Sequence, residues 1–158
     1  MKSWPQIGML ALSLGVCFAT AWFGSRFMPG EWYSQLQKPS WTPPNYLFGP
    51  VWTLLYILMA VAAWMVWRQS GIAGARLALS LFIIQLVLNG IWSWIFFGMH
   101  KVGLAFIEVL LLWIFILTTT ISFWNHYKLA GILFLPYLAW VSFASVLNFA
   151  IWRINTFS

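Results

Sequence analysis

The chain has 158 residues, 63% of them hydrophobic and only 6% charged, with a mean hydropathy of +0.86 and a net charge of +6. Soluble domains carry about 25% charged residues, so no water-soluble fold hides this much apolar surface, and lipid is the solvent. Basic residues scattered singly fit lipid headgroups and membrane topology, not nucleic acid, and a single cysteine, Cys17, excludes a disulfide within the chain.

Five segments run with little or no charge: Pro5–Ser25, Tyr46–Trp67, Leu77–Met99, Val102–Trp124 and Leu129–Trp152. Each approaches or exceeds the roughly 20 residues that a membrane helix needs, and none alternates as barrel strands do. The expected fold is an all-α membrane protein, a single domain over residues 1–158 with five transmembrane helices in an up-down bundle. Lys2, the apolar run after it and Ala19-Thr20-Ala21 are laid out like a signal peptide. The uncharged run from Ser3 to Ser25 is longer than the roughly 7–15 residues of such a signal, which favours a retained span. Ala11, Gly15 and Ala19, four apart, outline a packing seam within the monomer or between monomers.

Residues 26–45 form the one long connection. Their prolines exclude a membrane helix, and Trp32, Tyr33 and Trp41 argue against disorder. The connections at Gln69–Arg76, His100–Lys101 and Asn125–Lys128 are short, so successive helices are expected to be antiparallel neighbours. Lys2, Arg68, Arg76 and Lys128 fall on one side and Arg26, Lys38, Lys101 and Arg153 on the other, a balance that leaves orientation undetermined.

In the second segment Trp52, Tyr56 and Ala63 share a stripe, behind the helix start at Gly49-Pro50. In the third, Gln85, Asn89 and Ser93 recur every four residues beside Trp92. They either join helices or line a cavity. In the fifth, Tyr137, Trp140, Ala144, Asn148 and Trp152 share a stripe, and Pro136 is expected to kink the helix. Thirteen tryptophans exceed what interfacial belts need. Trp4, Trp67, Trp124 and Trp152 sit at span ends, whereas Trp92, Trp94, Trp113 and Trp140 lie deeper, Trp94 and Trp113 being read as facing lipid. Stacked indoles suit a flat polycyclic ligand. Glu108 is an intramembrane acid, read as close enough to the headgroups to stay solvated. His100 and His126 stand in separate connections, and no metal site, P-loop or hydrolase motif is present.

Taken together, Trp32-Tyr33, Lys38-Pro39-Ser40-Trp41-Thr42-Pro43-Pro44, Phe48-Gly49-Pro50-Val51-Trp52-Thr53-Leu54-Leu55-Tyr56, Leu88-Asn89-Gly90-Ile91-Trp92-Ser93, Phe96-Phe97-Gly98 and Pro136 through Asn155 resemble the TspO/MBR family of tryptophan-rich sensory and translocator proteins, in order and along essentially the whole chain. The resemblance implies a five-helix bundle, a homodimer, with the first loop folded over an internal pocket. It implies binding of porphyrins such as protoporphyrin IX, and of isoquinoline carboxamide and benzodiazepine-type ligands, with no required cofactor. The implied pocket holds Tyr33, Trp52, Tyr56, Asn89, Trp140, Ala144 and Asn148. For some bacterial members it implies light-dependent porphyrin breakdown, with Trp52 and Trp140 as the reactive residues. The family's sterol motif needs a tyrosine where this chain has Phe149, before Arg153, which puts sterol binding in doubt. The expected function is a porphyrin-binding protein of tetrapyrrole sensing, transport or regulation in a bacterial membrane. The alternatives are a porphyrin-degrading activity and a structural membrane protein without a small ligand.

Overall fold

A computed structural model describes residues 3–157, with side chains described from Pro5 to Thr156; Lys2 and the side chain of Trp4 lie outside the described residues. The elements are α1 (Ser3–Ser25), a short α2 (Glu31–Gln35), a 3-10 turn (Asn45–Leu47), α3 (Phe48–Gly74), α4 (Arg76–Ser93) continued by a π-turn (Trp94–Gly98), α5 (Val102–His126) and α6 (Lys128–Phe157). Five of these stretches, α1, α3, α4 with its π-turn, α5 and α6, are long and apolar enough to cross a membrane. The connection between α1 and α3 is not bare loop, because it contains α2 and the 3-10 turn.

Cation–aromatic pairs mark the ends of the spans. Arg26 stacks on Trp22 at 4.8 Å, Arg68 on Trp64 at 5.1 Å and Lys128 on Trp124 at 5.3 Å. The indole stays in the apolar layer while the cation reaches the headgroups.

The principal contacts run α1–α3–α6–α5–α4, and α4 returns to α1 through a thinner contact, closing a ring. The short connection between α3 and α4 does not make these two helices principal partners, as the sequence led us to expect. Gly71 breaks α3 with φ 69° and ψ 172°, a conformation that favours glycine, and so redirects the chain before α4 begins. α1 is the least buried span. Ala11, Gly15 and Ala19 are all exposed, so the small-residue stripe is not a seam within the monomer; α1 faces inward through Ser13 and Cys17. Pro136 sits inside an uninterrupted α6. Its missing N–H leaves the carbonyl four residues earlier without its usual helical partner.

Glycines set the tightest helix approaches. A Cβ on Gly103 of α5 would stand 2.7 Å from the indole nitrogen of Trp152 on α6. One on Gly131 of α6 would stand 2.7 Å from Cβ and 2.8 Å from Cα of Trp124 on α5. Backbone cannot give way as a side-chain tip can. Gly131→Ala is therefore expected to destabilise the protein by about 1–3 kcal/mol, read as a lower Tm in lipid nanodiscs.

Candidate functional site

Polar side chains in a lipid-embedded bundle must find partners inside the protein. Three helices supply them to one another in a single chain of bonds. Tyr56 of α3 donates its hydroxyl to Asn89 Oδ1 of α4 at 2.7 Å. Asn89 Nδ2 donates to the Tyr137 hydroxyl of α6 at 2.8 Å, and that hydroxyl donates to Gln85 Oε1 at 2.8 Å. A second link joins α4, α6 and α5: Trp92 Nε1 donates to Asn148 Oδ1 at 3.0 Å, and Asn148 Nδ2 donates to the Val102 carbonyl at 2.9 Å.

Above these bonds lies a cavity of about 560 Å³, within the roughly 300–1,000 Å³ of ligand pockets. Trp22, Trp52, Trp92 and Trp140 give it indole walls, and Phe48, Phe96 and Phe97 are among the other aromatic residues that line it. Asn89, Asn148 and Tyr56 bring polar groups to its surface, and Ala144 contributes only a methyl where a larger side chain would fill the space. Both readings of the polar stripe on α4 hold together. Asn89 joins helices and also lines the cavity, Ser93 lines it, and Gln85 is fully buried behind it. Among the described residues, neither Trp52 Nε1 nor Trp140 Nε1 donates to protein, and neither is shut away from solvent. Both remain available to a ligand.

Tyr33, on α2, closes the roof, buried against Phe96 and Phe97 with ring centroids 6.2 and 5.5 Å away. Burial pushes its phenol above its ordinary pKa, so it stays a neutral hydrogen-bond donor at physiological pH. Lys38 holds the end of α2: its ammonium donates to the carbonyls of Tyr33 at 2.7 Å and Leu36 at 3.1 Å and lies over the Tyr33 ring at 4.6 Å. The roof is then pinned to the bundle. Trp32 stacks on His100 at 4.1 Å with the rings 8° from parallel. Asn155 of α6 accepts from the Gln37 N–H at 3.1 Å and donates to the Gln37 carbonyl at 2.9 Å. The π-turn after α4 supplies Phe96 and Phe97 beneath α2, and Gly98 lets Phe27 approach to where a Cβ would stand at 2.9 Å.

All seven residues singled out from the sequence, Tyr33, Trp52, Tyr56, Asn89, Trp140, Ala144 and Asn148, line this one cavity. Other members of the sequence stripes do not. Ala63 and Tyr137 belong to the core, and Trp152 stacks on Phe106 of α5 at 5.9 Å. Trp94 is 46% exposed as expected of a lipid-facing residue, whereas Trp113 is half-buried and donates to Ser142 Oγ at 2.7 Å. Glu108 differs from expectation too. It is only 8% exposed, and neither carboxylate oxygen has a hydrogen-bond partner. Headgroup solvation does not reach it, because α5 turns that face into the bundle. Sequence reasoning missed the α1 wall, Phe18 and Trp22, because they lie off the line of Ser13 and Cys17 by which α1 faces the bundle. The one signal was Trp22 four residues before Arg26, the spacing of a helical cation–aromatic pair.

The family model for the TspO/MBR family matches residues 10–153. The chain is 45% identical over 157 residues to the tryptophan-rich protein TspO of Chlorobaculum tepidum, covering 95% of this chain and 98% of that one. It is 43% identical over 157 residues to the human translocator protein, covering 96% and 90%. It is 40% identical over 154 residues to protein CrtK of Rhodobacter capsulatus, covering 95% and 94%. With five membrane-spanning helices and a family match from α1 almost to the end of α6, this chain is a multi-pass integral membrane protein that belongs to the TspO/MBR family.

Proposed function

We propose that the cavity is a receptor site for a flat, polycyclic ligand, a porphyrin such as protoporphyrin IX, and that the protein acts in tetrapyrrole sensing, transport or regulation. The observation that carries this reading is a cavity of about 560 Å³ lined by the indoles of Trp22, Trp52, Trp92 and Trp140, with the N–H groups of Trp52 and Trp140 free of protein partners. Indole faces stack on a conjugated ring system, while Asn89 keeps one N–H and one carbonyl lone pair to orient a polar edge. Isoquinoline carboxamide and benzodiazepine-type ligands likewise join aromatic rings to a polar group, here an amide. Relatives named as a translocator protein and a tryptophan-rich sensory protein agree with such a role. We further propose a homodimer, as the family resemblance implies, for which the exposed small-residue stripe on α1 is the suited surface.

Protoporphyrin IX added in the dark to the protein in nanodiscs is expected to quench tryptophan fluorescence saturably, near one porphyrin per chain. Trp140→Ala and Asn89→Ala are expected to weaken binding about tenfold or more. Asn89→Ala also leaves two buried hydroxyls short of a partner, so its Tm is measured alongside. Unchanged binding in both variants removes this site assignment. Quenching that never saturates, and is equal in Trp140→Ala, assigns the porphyrin to the lipid and favours a structural protein.

Light-dependent porphyrin breakdown is a second reading, favoured by the two free indoles of Trp52 and Trp140 in the same cavity. It requires dioxygen as the oxidant. Under illumination in air the bound porphyrin band is then expected to fade faster than that of free porphyrin, and Trp52→Phe or Trp140→Phe to abolish the difference.

A further inference from the structure

The residues that line the cavity divide sharply by exposure. On α1 and the turn after it, Phe18, Trp22, Ser25 and Met28 are exposed; so are Asn45 of the 3-10 turn and Gly49 and Thr53 at the start of α3. Every lining residue from α4, its π-turn and α6 is buried or half-buried. A residue that both lines a cavity and is exposed stands at its mouth. The mouth is therefore the seam between the end of α1 and the start of α3. The roof residue Tyr33 is buried, so the opening is not through the top. The seam lies at headgroup level, as the end of the α1 span and the Arg26–Trp22 pair mark.

Arg26 stands beside this seam. Its guanidinium lies 4.8 Å from the ring of Trp22, itself a mouth residue, and both neighbours in the chain that flank it, Ser25 and Phe27, line the cavity. Among the described residues Arg26 is exposed and makes no ion pair, while Lys38, the cation of the roof, is already spent on two carbonyls. An apolar slot with an unspent guanidinium at its lip fits an aromatic acid: rings enter between α1 and α3 and the carboxylate stays at the headgroup level on Arg26. We propose that ligands enter sideways from the bilayer through this seam, and that Arg26 docks the carboxylate of an amphipathic aromatic acid. The proposal deepens the reading above and rests on this cavity being the ligand site.

The test is stopped-flow tryptophan quenching of the full chain in phosphatidylcholine nanodiscs. Two acid–ester pairs serve as probes: protoporphyrin IX with its dimethyl ester, and 1-pyrenebutyric acid with its methyl ester. The wild type is expected to bind each acid about tenfold more tightly than its ester. Arg26→Gln is expected to remove that preference and leave the esters unchanged, and Arg26→Lys to keep part of it. Gly49 has open space where a Cβ would stand, so Gly49→Phe is expected to narrow the seam and slow entry of all four probes. A preference shown by the pyrene pair when porphyrin does not bind upholds Arg26 and the seam while the porphyrin reading falls. Equal affinity for acid and ester in the wild type overturns the assignment of Arg26. An equal loss of both in Arg26→Gln points instead to a lipid phosphate on Arg26 and overturns it as well. Entry rates unchanged by Gly49→Phe overturn the sideways route.

Discussion

A bundle in lipid has no water to rescue a polar side chain, and the chain of bonds from Tyr56 through Asn89 and Tyr137 to Gln85 answers that constraint. Each bond contributes modestly, about 0.6 kcal/mol on average inside membranes. Their joint effect is geometric. A single amide receives from one helix and gives to another, so α3, α4 and α6 are fixed in rotation as well as in distance. Apolar packing alone would tolerate many rotations of these helices, since lipid tails are as apolar as leucine. With the rotations fixed, the indoles of Trp52, Trp92 and Trp140 turn inward on a common space.

That space is asymmetric. Its α4 and α6 sides rest on hydrogen-bonded and tightly packed positions, with glycines drawing α5 and α6 close to one another. Its α1 side is made by the least buried helix, whose polar anchors to the bundle are few: Trp64 Nε1 donates to the Gln6 carbonyl at 3.0 Å, near the far end from the mouth. Rigid walls and a lightly held fourth side are a sound division for a site that must recognise shape and yet admit a bulky molecule.

Much of this was legible in the sequence, and the residues show why. Spans are set by apolar length against bilayer thickness, a constraint that needs no tertiary information. Asn89 and Asn148 stood out because amides within an apolar run must turn away from lipid, and Trp140 stood out because it shares the helical stripe of Asn148. What the sequence hid depends on partners far along the chain. The α1 wall was hidden because Phe18 and Trp22 lie off the line of Ser13 and Cys17 that turns this helix inward. The ring order was hidden because a short connection read as Gln69–Arg76 does not tell how the backbone turns at Gly71 within it. The burial of Glu108 follows from which face α5 offers to its neighbours, and its uncharged surroundings in sequence do not tell that face from the one in lipid.

The bond between Gln37 and Asn155 joins positions 118 residues apart and ties the roof to the last turns of α6. During synthesis the chain emerges from its N-terminus, so α1, the roof segment and α3 are made long before Asn155 exists. The wall formed by Trp140 and the second pin for the roof, after the Trp32–His100 stack, arrive together with the final helix. A nascent chain therefore carries an open aromatic cleft until α6 inserts, and only the finished polypeptide has both a wall and a latch. Completion of the site and completion of the chain are one event.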